Sequence, residues 1–411
     1  MYKTFPAFIT GIALACSFCG DGSSVKPANI AATNSSDTSA PVETKAPNSN
    51  YKPAFAGQTR ISGIKTKAAY EGKVITKELQ SPWGITVLPD GRFLITQKRG
   101  TMRIVSGDGK VSEPITGIPE VNPGGQGGLL GLTLDPQFAQ NRMVYWVFSE
   151  KQDGGNLTAV AKGKLAADEK SIEGATVIYR ATPAFNSNLH YGGRILFDKS
   201  GNIMISTGER SDMESRPQAQ QLNSGLGKVI RITKEGKPAA GNPFAGKERP
   251  ELFSYGHRNV QGLTMNPTTG EIWAHEFGPR GGDELNLVKP GKNYGWPTIT
   301  YGIEYSGKQV GDAIQQKAGM EQPVYYWDPV VSPSGMTFYT GNNMPEWKGN
   351  LFISTLSGMH VARLDIKNNK VVGEERLLSG EGQRFRDIVQ GKDGALYTIT
   401  DQGRLYRIGK K

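Results

Sequence analysis

Cysteine and histidine are scarce in this sequence, which limits the chemistry that its side chains can perform alone. Both cysteines, Cys16 and Cys19, lie close to the N-terminus, so the rest of the chain folds without disulfides or thiolate-bound metals. None of the four histidines is spaced from another like the ligands of a zinc site. Any redox chemistry must therefore come from a bound cofactor.

Several familiar motifs and charge patterns are also missing. The sequence has no Gly-x-Ser-x-Gly elbow, no P-loop and no Gly-x-Gly-x-x-Gly opening a helix, which argues against a serine hydrolase, an NTPase and a nicotinamide enzyme. The formal net charge is +10, but the basic residues are scattered and no run of five occurs, which argues against nucleic-acid binding. A small anionic ligand remains compatible with this charge.

The N-terminal region has the pattern of an export signal. Lys3 precedes an apolar stretch at residues 5–15, which has the length of a signal-peptide core and is too short to span a bilayer. Ala-Leu-Ala-Cys at residues 13–16 resembles a bacterial lipobox. We therefore predict a signal peptide at 1–15 and a periplasmic protein anchored to a membrane by a lipid on Cys16, with ordinary cleavage nearby as the alternative. Polar, Pro- and Ala-rich residues 16–59 predict a disordered tether.

A strand–turn–strand pattern recurs in the remaining domain, residues 60–411. With 53 Gly and 24 Pro, the composition favours short strands joined by turns. The six copies begin at Trp83, Leu130, Arg194, Gly262, Gly335 and Arg386. This repetition predicts an all-β, six-bladed β-propeller of four-stranded antiparallel sheets, whereas unrelated hairpins in a β-sandwich would not explain it. The longest intervening segments, around 149–190 and 209–260, are predicted to form loops on the faces.

Two segments in front of repeat copies contain candidate ligand-binding residues. His190 precedes the third copy, where it is placed to face the axis, although a lone histidine is often only structural. Arg258, Asn259 and Gln261 precede the fourth copy. Arginine and amide side chains together suit a planar anionic ligand, but a turn capped by Asn259 with Arg258 in solvent would give the same pattern.

Two further segments indicate ion binding. Residues 276–286 combine a Gly-Pro turn with the adjacent carboxylates Asp283 and Glu284, a pattern that suits calcium but also an ordinary solvated loop. Arg384 and Arg386 are two residues apart, so on a strand both point to the same side. An inner strand would direct them at an anion and an outer strand at solvent; the inner one is favoured because Arg386 begins the sixth copy.

Taken together, these segments resemble the soluble PQQ-dependent aldose sugar dehydrogenases, the glucose/sorbosone dehydrogenase family, over residues 75–408. The most specific matches are Gly-Gln-Gly-Gly-Leu-Leu-Gly at 125–131, Gly-His-Arg-Asn at 256–259, Gly-Pro at 278–279 with Asp-Glu at 283–284, Asn-Tyr-Gly-Trp-Pro at 293–297 and Arg-Phe-Arg at 384–386. The resemblance implies the cofactors pyrroloquinoline quinone (PQQ) and calcium, an aldose sugar as substrate and an unidentified electron acceptor. The implied reaction transfers hydride from the anomeric carbon to the quinone and gives a lactone.

The family's site residues carry over position by position. The resemblance implies that His190 is the general base. It places around the cofactor and substrate the side chains of Gln126, Arg258, Asn259 and Gln261, and at the cofactor's carboxylates Arg384 and Arg386. It assigns the cofactor-bound calcium to the backbone carbonyls of Gly278 and Pro279, and a second, structural calcium to Glu284 and Tyr294.

Two positions depart from the family pattern. Ser357 lies where glucose-specific members have a cofactor-binding lysine, which predicts weaker PQQ binding. Leu189 precedes the base where some members have aspartate, which leaves His190 without that carboxylate. Two other functions remain open: a calcium-dependent propeller lactonase, which would not need the arginines, and a non-enzymatic propeller that uses its face for binding.

Overall fold

The computed structural model describes residues 40–411, which form six antiparallel sheets around a common axis. Helix is limited to α1 (Phe138–Asn141) and two short 3₁₀ turns, Arg216–Gln220 and Pro345–Trp347. The strands in chain order are β1 (Tyr70–Thr76), β2 (Pro82–Val87), β3 (Phe93–Gln97), β4 (Thr101–Val105), β5 (Leu129–Leu134), β6 (Met143–Gln152), β7 (Gly155–Leu165), β8 (Ile172–Arg180), β9 (Ile195–Phe197), β10 (Ile203–Ser206), β11 (Lys228–Ile232), β12 (Leu252–Tyr255), β13 (Val260–Met265), β14 (Ile272–Glu276), β15 (Asp283–Val288), β16 (Tyr325–Trp327), β17 (Pro333–Phe338), β18 (Leu351–Thr355), β19 (Val361–Lys367), β20 (Lys370–Leu377), β21 (Phe385–Gln390), β22 (Leu396–Thr400) and β23 (Leu405–Lys410).

The predicted six-bladed propeller is confirmed, and each repeat copy forms the first two strands of one blade. Blades one to six begin at β2, β5, β9, β13, β17 and β21. The N-terminal strand β1 pairs antiparallel with β23, so both ends of the folded chain share blade six and close the ring. Closure lets the first and last blades cover each other's faces, which an open array of sheets would leave exposed.

Blade one differs from the predicted four strands because its sheet has only three, β2 to β4. In place of a fourth strand, residues near 111–115 meet β4 through two isolated bridges, Val105–Val111 and Met102–Ile115. Pro114 lies inside this stretch and has no amide hydrogen to donate, so a continuous ladder is interrupted there.

The core lies between neighbouring blades. The second strands β3, β10, β14, β18 and β22 are buried along their whole length, since another blade covers each of their faces. Trp273 of blade four, for example, is fully buried and meets Phe338 of blade five edge-on, with ring centroids 5.9 Å apart. Such contacts hold each sheet to the next and keep the loops at the axis in place.

Two predicted irregular regions contain ordered structure. The segments 149–190 and 209–260 are not mainly loops, because they hold the outer strands β7, β8, β11 and β12. The tether does not extend to residue 59 either. Asn48 and Ser49 donate backbone hydrogen bonds to the Asp328 carboxylate at 2.8 and 3.1 Å, which attaches this stretch to blade four. Short polar side chains here find partners on the propeller surface, which composition alone does not reveal.

The predicted signal peptide, Cys16 and the tether up to residue 39 lie outside the described residues. Between residues 40 and 411, no helix is long and apolar enough to cross a bilayer.

Candidate active site

A cavity of about 370 Å³ is lined by residues from five of the six blades or from the segments that lead into them. Only a position at the axis can be reached from so many blades. Its lining residues are Trp83, Lys98, Gly125, Gln126, Gln261, Phe277, Tyr305, Ser332, Leu356, Arg384 and Arg386. Three of these are cations and none is acidic. Three larger grooves elsewhere on the surface contain no pair of arginines, and each is lined by at least one acidic residue. The axial cavity is therefore the best site for an anionic ligand.

Arg384 and Arg386 lie on the same side of blade six, as their spacing predicts, and both reach the cavity. Asp401 bridges them: its carboxylate is 3.0 Å from Arg384 Nε and 2.8 Å from Arg386 Nε. Burial alone would raise the pKa of Asp401, but Arg386 and Arg384 together lower it. One carboxylate thus orients two guanidinium groups and leaves the pair with a net positive charge.

His190 lies behind this wall, in the turn between β8 and β9. Its backbone amide donates to Gln126 Oε1 at 2.8 Å, which ties the histidine to a residue that lines the cavity. Its side chain is only 5% exposed. Burial, together with the nearby Arg258 charge, lowers the pKa of His190 to about 4. The imidazole is therefore neutral at pH 7 and able to accept a proton.

Glu209 is the carboxylate partner of His190, and no sequence motif pointed to it. Its Oε1 lies 2.7 Å from His190 Nδ1, so the neutral ring donates from Nδ1 to Glu209. Within residues 40–411, Nε2 has no hydrogen-bond partner. The carboxylate that is missing at position 189 is thus supplied by Glu209, from the loop after β10. Gly208 makes this approach possible, since a Cβ there would lie 2.2 Å from the His190 carbonyl oxygen.

Asn259 and Gln261 support the turn that contains His190. Asn259 Oδ1 accepts from the Gly192 amide at 3.0 Å, and Gln261 Nε2 donates to the Gly192 carbonyl at 2.8 Å. Gln261 also lines the cavity, whereas Asn259 does not. Asn259 Nδ2 is buried without a hydrogen-bond partner in the described structure.

Arg258 is buried next to the predicted calcium loop, so its interpretation as a solvated residue in a turn is wrong. Its Nη1 donates to the carbonyls of Phe277 at 3.0 Å and Gly278 at 2.8 Å, and its guanidinium lies over the Trp296 ring at 5.1 Å. Asp283 holds the same loop by accepting from the Gly278 amide at 2.8 Å. The Gly278 carbonyl, predicted to bind calcium, is thus already bonded to a cation.

The predicted calcium ligands belong to two sites, Gly278 with Pro279 and Glu284 with Tyr294. Pro279 is buried in the loop beside Gly278, whereas Glu284 lies opposite Glu276 in the β14–β15 ladder. Burial and the Glu276 carboxylate hold the pKa of Glu284 well above its usual range, a condition that a bound cation would relieve. The Tyr294 hydroxyl donates to the Leu287 carbonyl at 2.6 Å. No three His, Cys, Asp or Glu side chains in residues 40–411 form a metal-binding group.

Fold and site together define a six-bladed β-propeller with a cationic axial cavity and a carboxylate-oriented histidine behind it. A family model described as Glucose / Sorbosone dehydrogenase matches residues 79–407. The chain belongs to this family, which confirms the resemblance predicted from its motifs.

Individual relatives match over nearly the whole propeller. Aldose sugar dehydrogenase YliI of Escherichia coli (strain K12) is 40% identical over 346 residues, which cover 82% of this chain and 92% of that protein. The crystal structure of the soluble aldose sugar dehydrogenase (Asd) from Escherichia coli in the apo-form superimposes with a TM-score of 0.80 at 39% identity, covering 84% of this chain and 100% of that one. The PQQ-bound aldose sugar dehydrogenase (Adh) from Streptomyces coelicolor gives a TM-score of 0.69 at 29% identity, covering 84% and 99%.

Proposed function

We propose that this protein oxidises aldose sugars at the anomeric carbon to lactones, using PQQ and calcium, with His190 as the general base. The observation that carries the proposal is the oriented, neutral His190 next to a cavity with three cations and no acidic lining residue. The names of the Escherichia coli relative and of the PQQ-bound Streptomyces structure support this activity and cofactor.

The cavity suits PQQ, a planar ortho-quinone with three carboxylates. Arg384 and Arg386 would bind carboxylates of the cofactor. Calcium would be held by the carbonyls of Gly278 and Pro279, where it would replace the hydrogen bond from Arg258. When bound, the quinone with its calcium supplies a hydride acceptor.

The chain's own part in the reaction is to move one proton. His190 Nε2 takes the proton of the anomeric hydroxyl as hydride leaves the same carbon, so the sugar loses two electrons and two hydrogens. Glu209 keeps the hydrogen on Nδ1 and stabilises the imidazolium that forms. The low pKa of His190 favours release of this proton after turnover.

The two other functions have less support. A Ser254–His257–Glu276 chain resembles a hydrolytic triad, since Ser254 Oγ is 2.8 Å from His257 Nε2, but the Ser254 and His257 side chains are fully buried and no substrate can reach them. A lactonase that relies on metal-bound carboxylates lacks such a cluster in residues 40–411. A propeller used only for binding would not need the paired His190 and Glu209.

Reconstitution tests the proposal. Purified apoprotein is titrated with PQQ and calcium while the cofactor's absorbance is followed, and aldoses are then added with a dye acceptor. We expect saturable binding, reduction of the quinone by sugar and no activity without the cofactor. Full sugar oxidation by chelator-treated, cofactor-free protein would contradict the proposal, and so would hydrolysis of lactones without redox change.

We also propose export to the periplasm with a lipid anchor at Cys16. The support is the apolar stretch before a lipobox-like sequence. Labelling of cells with a radioactive fatty acid should label the protein. An unlabelled protein that fractionates as soluble would show that the ordinary cleavage alternative is correct.

A further inference from the structure

We propose that Lys98 of blade one binds a carboxylate of the anionic cofactor and takes over the role of the lysine that Ser357 replaces. This inference rests on the proposed function, because it concerns the ligand of the same cavity. It assigns a role to a residue outside the motifs that carry the family resemblance.

Lys98 follows β3 directly and lines the cavity with Arg384 and Arg386. Its Nζ donates to the Gly125 carbonyl, a neutral acceptor. No carboxylate of residues 40–411 forms a salt bridge with it, so its charge is not neutralised by the protein. A carboxylate from a ligand would be a stronger partner for this ammonium group than a carbonyl is.

The backbone of Lys98 is held by two hydrogen bonds to neighbouring segments. Its amide donates to the Ser81 carbonyl at 3.0 Å, and its carbonyl accepts from the Leu129 amide at 2.9 Å. Burial and repulsion from Arg386 lower the pKa of Lys98, and Asp401 opposes this effect. An anion in the cavity would stabilise the charged form, so binding of the ligand and protonation of Lys98 reinforce each other.

Ser357 cannot supply this charge. It is exposed, and its Oγ lies 2.8 Å from the hydroxyl of Ser332, a cavity-lining residue. Strand β21 of blade six, which follows Arg384, packs between the inner strands of blades five and one. Ser357 belongs to the blade on one side of the arginine pair and Lys98 to the blade on the other. Lys98 is thus the third cation of the cavity, and it lies on the opposite side of the Arg384–Arg386 pair from Ser357.

A purely structural role makes a different prediction. The bond to Gly125 could serve only to hold the loop that contains Gln126, in which case loss of Lys98 would loosen the loop in the protein without cofactor. A lysine at position 357 would then not repair the damage, because it lies on another blade and cannot bond to Gly125.

The test measures the PQQ dissociation constant by absorbance titration with calcium present, and the melting temperature without cofactor. We expect Lys98→Met to weaken PQQ binding about tenfold to a hundredfold, the effect of losing one charge-assisted hydrogen bond. Adding Ser357→Lys to that variant should restore most of the affinity. The matched control is Lys73→Met, which removes the same charge from an outer position on β1 and should leave binding unchanged.

The possible outcomes separate this inference from the proposed function. If wild-type protein binds PQQ and Lys98→Met binds it equally well, Lys98 has no role and the proposed function stands. If Lys98→Met weakens PQQ binding, lowers the melting temperature and is not rescued by Ser357→Lys, Lys98 only holds the Gly125 loop and does not bind the cofactor. If wild-type protein does not bind PQQ at all, the proposed function itself is wrong and the role of Lys98 is wrong with it.

Discussion

Blades three and four contain the same local arrangement, a histidine whose Nδ1 is bonded to a glutamate 19 residues later. The pair is His190 with Glu209 in blade three and His257 with Glu276 in blade four, at 2.7 and 2.9 Å. In blade four, His257 Nε2 is also 2.8 Å from Ser254 Oγ, and the ring stacks on Tyr294 with centroids 4.6 Å apart. In the described structure only the first histidine of these two keeps a free Nε2.

The difference does not come from a missing serine. A serine stands three positions before each histidine, but Ser187 donates to the Arg210 carbonyl at 2.6 Å instead of bonding to His190. Gly256, which precedes His257, adopts the left-handed conformation with φ +76°. Leu189 at the equivalent position before His190 does not adopt it, and His190 itself does, with φ +47°. Leucine avoids that conformation while histidine tolerates it better. The same unit therefore has both ring nitrogens bonded in blade four and leaves Nε2 free in blade three.

The largest expected effect is that of His190→Ala. Turnover per bound PQQ should fall about 10²- to 10⁴-fold, the usual cost of removing a general base, while PQQ affinity stays within a few-fold because the arginines bind the cofactor. Stopped-flow reduction of bound PQQ by sugar measures the step directly. A turnover near that of wild type would show that His190 is not the base.

The same substitution in blade four should act on stability. His257→Ala leaves the buried Ser254 hydroxyl without its side-chain partner and removes one hydrogen bond from Glu276, which keeps those from the Arg258 amide and Asn286 Nδ2. We expect the free energy of unfolding to fall by about 3 kcal/mol. Chemical denaturation measures it. Turnover of the folded, cofactor-loaded fraction should stay within a few-fold of wild type; a loss as large as that in His190→Ala would mean that both pairs act in catalysis.

Glu209→Gln tests the orienting carboxylate. The amide keeps the shape but can donate to Nδ1, which favours the wrong tautomer of His190. We expect turnover to fall about tenfold to a hundredfold, the range typical of carboxylates that orient metal-bound histidines. The control is Glu209→Asp, which keeps the charge and should be less impaired. Equal losses in the two variants would point to packing and not to the tautomer.

The smallest effect is expected on changing pH. Activity requires neutral His190, whose pKa of about 4 means that the base becomes protonated only as pH falls through about 4. Sugar oxidation, as kcat/KM, should therefore change less than about twofold between pH 7.5 and 5.5. A histidine with the ordinary pKa of about 6.5 would lose roughly 90% of its neutral form over the same range. An acid limb near pH 6.5 would show that burial does not control this residue.

The prediction of ordered and irregular segments from sequence succeeded where apolar periodicity was strong. The six strand–turn–strand copies were found because their second strands are buried on both faces and form short apolar runs. The outer strand β8 was missed, since only its first residue, Ile172, is buried and the others are half-buried or exposed, as in a polar loop. The contact of residues 40–59 with Asp328 was missed because hydrogen bonds between distant polar residues leave no periodic signal.

The site was predicted in part. Gln126, Gln261, Arg384 and Arg386 do line one cavity, as the resemblance implied. The calcium roles of Gly278, Pro279, Glu284 and Tyr294 stay predictions. Glu209 could have been found from the repeated 19-residue spacing, had the His190 and His257 segments been compared with each other.

The sequence by itself determined the repeat, the number of blades and the residue types near the axis, because these follow from local periodicity and turn chemistry. Only the tertiary structure decided whether His190 or His257 keeps a free Nε2, which carboxylate orients His190 and which lysine lines the cavity with the arginine pair. Those answers depend on backbone conformation at single residues and on contacts between different blades. Residues that are far apart in the chain become neighbours only when the ring closes, and their pairing is set by packing of the whole propeller.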